Sequence, residues 1–138
     1  MRTHLGLASL LALALGGCMT MPQPTVRPSG PDPETVRQVV MSAAQQVRRC
    51  YRPPRLTRRA RGIATSISVR YAIDGRLAQP PALLRQDGVT PDLRLEAAQL
   101  AQAAIEAITR CTPLALPQES HAGGWDEFEL TFGFAAVG

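Results

Sequence analysis

The sequence contains no lysine. All 15 of its basic residues are arginine, set against 11 acidic residues for a formal net charge of +4. A GC-rich genome produces such a bias without any chemical demand. Aromatic residues are also scarce at 4%, which excludes a core built on rings and calls for an aliphatic one. Histidine occurs twice, at His4 and His121, and no metal-ligand spacing or phosphate-binding loop appears. The run Glu119-Ser120-His121 has the residue types of a nucleophile, a base and its orienting acid. Neighbours in sequence rarely share the geometry that such a trio needs, so the chain is expected to be no enzyme and to carry no cofactor. With 138 residues there is room for one compact domain and a targeting segment, and too little for two domains.

Long hydrophobic runs are missing too. The longest, Leu5 to Gly17, is broken only by Ser9 and follows the short basic start Met1-Arg2-Thr3-His4. At 1.5 Å per residue it would span about 20 Å, too little for a membrane helix but suited to a secretory signal. It ends Leu15-Gly16-Gly17-Cys18, which resembles a bacterial lipobox, with residues 1-17 as signal peptide and Cys18 as the lipidated residue. The alternative is an ordinary signal peptide that happens to contain a cysteine. Residues 18-31 then form a proline-rich tether of about 40 Å if extended as polyproline II. A Met rather than an Asp after Cys18 resembles sorting to the outer membrane, which implies a lipid anchor at its periplasmic face. Export removes nucleic acid from the expected partners.

Three cysteines leave an odd one in an exported chain. With Cys18 lipidated, Cys50 and Cys111 remain as a pair in an oxidising compartment, where a disulfide is expected. Two free thiols buried as small hydrophobes are the alternative.

Residues 32-138 read as one domain. Asp32-Pro33-Glu34 opens a helix with a capping carboxylate, a proline at the first helical position and an acid at the positive end of the dipole. Val36, Val39, Val40, Ala43, Val47 and Cys50 recur on one face, and Pro53-Pro54 closes the element. From Gly62 to Asp74, Ile63, Thr65, Ile67, Val69, Tyr71 and Ile73 alternate with Ala64, Ser66, Ser68, Arg70 and Ala72. This predicts a strand with one buried and one wet face. Asp74-Gly75 marks a hairpin, and a second strand follows from Arg76 to about Arg85, placed at an edge because Pro80-Pro81 cannot donate to a central ladder. A second helix starts at Thr90-Pro91-Asp92, capped by Thr90 or Asp92, with Leu93, Ala97, Leu100, Ala101, Ala104, Ile105 and Ile108 as its stripe and Cys111 closing the face. After the Gly123-Gly124 turn, Trp125 to Phe134 forms the last strand, with Phe128, Leu130, Phe132 and Phe134 facing inward. The expected class is α+β: helix-strand-strand-helix-strand, two helices on one face of a three-stranded antiparallel sheet, with the first strand in the middle.

Two stretches carry candidate function. The last strand is unbroken by proline and is expected to be an edge open to a fourth strand, with Glu127, Phe128, Glu129, Leu130, Thr131 and Phe132 as the partner-binding residues. The loop from Arg48 to Arg61 holds seven arginines in fourteen residues: Arg48, Arg49, Arg52, Arg55, Arg58, Arg59 and Arg61. It reads either as a solvated basic loop or as a binder of phosphate and carboxylate groups on peptidoglycan, lipopolysaccharide or an acidic protein.

The strand-Asp-Gly-strand at Ile67 to Leu77, the helix end Ala-Ile-Glu-Ala-Ile-Thr-Arg-Cys-Thr-Pro-Leu, and Leu116-Pro117 before Trp-x-x-Phe-x-Leu-x-Phe together resemble the C-terminal domains of TolA and TonB. The likeness runs from about Pro33 to Phe134 and is greatest to TolA-type domains with one cysteine after each helix. It implies a non-enzymatic envelope domain that captures a periplasmic or outer-membrane protein, such as a Tol- or Ton-type component, by strand addition. A transducer of that family also needs an inner-membrane helix and a long periplasm-spanning segment. Here a lipid anchor and a short tether stand instead, so energy transduction does not carry over with the fold.

Overall fold

A computed structural model describes residues 32–121 and 126–138. The signal segment 1-17, Cys18, the tether to Pro31, and Gly123, Gly124 and Trp125 lie outside the described residues.

The first helix, α1 (Pro33–Arg48), begins as its sequence dictates. The Asp32 carboxylate accepts from the Thr35 N–H at 3.0 Å and from the Thr35 hydroxyl at 3.1 Å, Pro33 sits in the first turn, and Arg48 lies in the last. Val39, Ala43, Ala44 and Val47 are buried, while Val36 and Val40 flank them. The second long helix, α2 (Arg94–Cys111), follows a 3-10 turn at Pro91–Leu93. Neither Thr90 nor Asp92 caps it as expected: the Thr90 hydroxyl donates to Asp92 at 2.6 Å, and the helix starts without a side-chain cap. Ala97, Leu100, Ala101, Ala104, Ala107 and Ile108 form its buried stripe.

Three antiparallel strands, β1 (Ala64–Arg70), β2 (Ala82–Asp87) and β3 (Glu127–Phe132), lie in the order β2-β1-β3. Each is shorter than its sequence pattern predicts. Beyond Arg70, Tyr71 makes a single bridge to Leu77, and a tight turn follows in which the Gly75 N–H donates to the Ala72 carbonyl at 2.9 Å. The strand expected from Arg76 starts only at Ala82. The Ala78 N–H donates to the Arg70 carbonyl at 2.8 Å, yet Ser68 already faces Ala82. Gln79, Pro80 and Pro81 are therefore looped out opposite Val69, as prolines without N–H groups require. A second irregularity falls between Ser66 and Ile67, where Leu84 is the extra residue on β2.

Both helices cover one face of the sheet, α2 over β1 and β2, α1 over β3. The pairs Ile67–Leu130 and Val69–Phe128 point into this core with Tyr71 and Phe132, against Val39, Ala43 and Val47 of α1 and Ala104, Ala107 and Ile108 of α2. The opposite face of β1 is not wet as expected. Ser66 and Ser68 are buried, because the long side chains of the two edge strands close over these small residues. A smaller core of Leu56, Ala60, Ile63, Leu93, Ala97 and Leu100 fills one end of the domain.

Cys50 and Cys111 form a disulfide with Cα atoms 5.7 Å apart, joining the ends of the two helices. The segment after Cys111 is held from two sides. Gln46 pairs with the backbone of Ala115, and the Leu114 N–H donates to the Gly75 carbonyl at 2.8 Å.

Candidate functional site

In an antiparallel ladder each residue directs its backbone N–H and C=O to one neighbour, alternating along the strand. On β3 the even-numbered residues turn towards β1, continuing the bond from the Tyr71 N–H to the Asp126 carbonyl at 2.9 Å. Glu127, Glu129, Thr131 and Gly133 therefore present their backbone groups outward. The side chains alternate differently. Phe128, Leu130 and Phe132 are buried in the core, whereas Glu127, Glu129 and Thr131 lie on the sheet face away from the helices. Of the six residues expected to form the partner-binding edge, Phe128, Leu130 and Phe132 thus serve the core, and Glu127, Glu129 and Thr131 turn their backbone groups outward.

The outward edge is not wholly open. The Thr131 N–H donates to the Gly138 carbonyl at 2.6 Å, the Gly138 N–H returns to the Thr131 carbonyl at 2.9 Å, and the Gly133 N–H donates to the Ala136 carbonyl at 2.9 Å. Residues 136–138 fold back along the far half of the edge, with Val137 in a single bridge to Phe132. This covers part of the edge that the sequence predicts to be open. The reason is physical: unpaired strand groups attract any segment within reach. The backbone of Glu127 and Glu129 has no partner among the described residues. Beside the covered half, Val40, Met41, Ala44, Gln45, Arg48, Val137 and Gly138 line an apolar groove of about 210 Å³.

The side chains of the edge are ordered by charge. Arg70 pairs with Glu127 and lies 3.6 Å from Asp126, and Ser68 donates to Glu127 at 3.2 Å. Arg85 of β2 reaches across β1 to Glu129 at 2.7 Å. The hydrogen bond from Arg70, then that from Ser68, hold the Glu127 carboxyl below the usual carboxylate range. Ser66 and then Arg85 do the same for Glu129.

The other sheet edge carries a feature the sequence reading missed. With its prolines looped out, β2 itself is proline-free, and Leu83 and Leu84 are 47% and 53% exposed. The position of the looped-out residues in the register was the missing signal, and composition does not contain it.

The arginine loop is built on order. Leu56 and Ala60 are buried, Arg59–Gly62 forms a 3-10 turn, and the Thr57 N–H and hydroxyl donate to the Glu96 carboxylate at 2.7 and 2.9 Å. Arg59 pairs with Asp92 at 2.7 Å, and the Arg61 guanidinium lies 4.6 Å from the Phe134 ring centroid. Arg48 and Arg49 stand at the end of α1, and Arg52, Arg55 and Arg58 follow on the exposed surface of the loop. The run Glu119-Ser120-His121 lies in a four-residue helix, α3 (Gln118–His121), where His121 Nε2 is 3.3 Å from the Tyr71 carbonyl. Among the described residues no group of His, Cys, Asp or Glu is set to hold a metal ion, and no helix is long and apolar enough to cross a membrane. Comparison with family models, with curated proteins and with solved structures returns no match.

Proposed function

We propose that the chain is a non-enzymatic cell-envelope lipoprotein, anchored through Cys18 at the periplasmic face of the outer membrane, whose TolA/TonB-like domain captures a protein partner by strand addition at β3. The observation that carries this reading is the backbone of Glu127 and Glu129. It continues, without a described partner, the edge on which residues 136–138 already pair with Thr131 and Gly133. An extended segment of the partner would hydrogen-bond to these groups, and Glu127, Glu129 and the apolar groove beside α1 would sort its side chains. A Tol- or Ton-type envelope component is the class of partner that the resemblance suggests.

Glu129→Pro tests the mechanism. Its lost N–H faces away from β1, so the fold is expected to stand while the edge loses a donor. With a photo-crosslinking residue at position 127, capture of the outer-membrane partner is expected to fall sharply in the proline variant. Equal capture by a proline variant of native circular dichroism refutes strand addition.

A further inference from the structure

The arginine loop holds a site that strand addition does not use. Of its seven arginines only Arg59 meets a carboxylate; the other six have no ion pair among the described residues. A merely solubilising loop would be loose, but this one is pinned at Leu56, Thr57 and Ala60, so its cations are held on a fixed frame. Arg55 and Arg61 line a cleft of about 310 Å³ whose other walls are Pro53, Pro54, Leu56 and Phe134. The Arg61 guanidinium carbon lies over the Phe134 ring, 4.6 Å from its centroid, a cation–π contact that holds the cation at the cleft while it has no carboxylate partner among the described residues.

We propose that this cleft binds a carboxylate carried beside a small apolar group, as at the end of a peptide that finishes in alanine. Both halves of such a ligand find a complement. The planar guanidinium fork matches a planar carboxylate through paired hydrogen bonds, and the proline, leucine and phenylalanine walls cover the apolar part. A bare phosphate would leave those walls unused. The site is separate from the outward edge of Glu127 and Glu129, so either proposal stands if the other fails.

The test is a titration of the full chain, followed by amide chemical shifts, with N-acetyl-alanyl-alanine, its C-terminal amide, butyrate and inorganic phosphate. Saturable shifts around Arg61 and Phe134 are expected with the peptide acid and not with the amide. Arg61→Gln and Arg55→Gln are each expected to weaken binding about tenfold, and Arg49→Gln, outside the cleft, by less than about twofold. Butyrate as tight as the peptide identifies a free acid as the source, and weaker butyrate a peptide end; both support the carboxylate. The proposal is overturned if acid and amide bind alike, if nothing saturates, if Arg49→Gln costs as much as Arg61→Gln, or if phosphate binds with the same arginine dependence.

Discussion

The side-chain amide of Gln46 pairs with the backbone of Ala115 in both directions, Nε2 to the carbonyl at 2.8 Å and the Ala115 N–H to Oε1 at 2.8 Å. A residue of α1 thereby acts as a one-residue strand for a segment whose flanking Pro113 and Pro117 carry no N–H. Gln46→Ala removes both bonds and is expected to cost about 1–3 kcal/mol. Gln46→Glu keeps one acceptor but sets a carboxylate against a carbonyl, so it should recover little. Urea midpoints at constant slope measure the difference.

Gly75 allows no side chain. Its φ is +78°, and a Cβ there would lie 1.8 Å from the Leu114 carbonyl oxygen, a backbone atom with no freedom to withdraw. Gly75→Ala is expected to lose more than about 2 kcal/mol from strain and from the displaced Leu114–Gly75 hydrogen bond. At Gly88, also at positive φ, the nearest atom would be 2.9 Å away, so Gly88→Ala should cost less. Thermal unfolding of the two variants side by side checks the order.

Reduction of the Cys50–Cys111 disulfide opens a covalent loop with a sequence separation of 61. In the chain-entropy picture the loss is about 4 kcal/mol, a large share of the stability of a domain this size. The expected result is a much lower denaturation midpoint with reductant, reproduced by the Cys50→Ser, Cys111→Ser double variant.

Acid should loosen the outer sheet face. The folded-state carboxyls of Glu127 and Glu129 lie below their ordinary values, held there chiefly by hydrogen bonds from Arg70 and Ser66 respectively. A depressed carboxyl contributes stability that is fully present above its unfolded pKa and is lost as pH falls through the folded one. The loss therefore begins near pH 4.5 and continues below it. Glu127→Gln with Glu129→Gln should flatten the stability profile in that range and lower its plateau near pH 7, where the ionised carboxylates contribute in full.

The sheet order was legible because β1 has the longest unbroken alternation and no proline, and the disulfide because cysteine parity left Cys50 and Cys111 together. Both helices followed from Asp32, Pro33 and the spacing of their small apolar residues. What escaped the sequence were relations between segments. The burial of Ser66 and Ser68 depends on Arg85 and Glu129 arriving from strands on either side. The covering of Thr131 depends on a chain reversal from Gly133 to Ala136, whose single glycine falls inside a run that reads as strand up to Phe134. Of the arginine loop, sequence gave the charges, but the cleft depends on Phe134, more than seventy positions from Arg61.

The covalent loop encloses β1, β2 and α2, while α1 precedes Cys50 and β3 follows Cys111. Tension applied between the amino-terminal side of α1 and a ligand held on β3 consequently enters and leaves through the two sulfurs. The hairpin and α2 sit in parallel with that path and bear no covalent load. Such a pull acts directly on α1 and β3, while the enclosed β1, β2 and α2, three of the five main elements, keep their covalent connectivity.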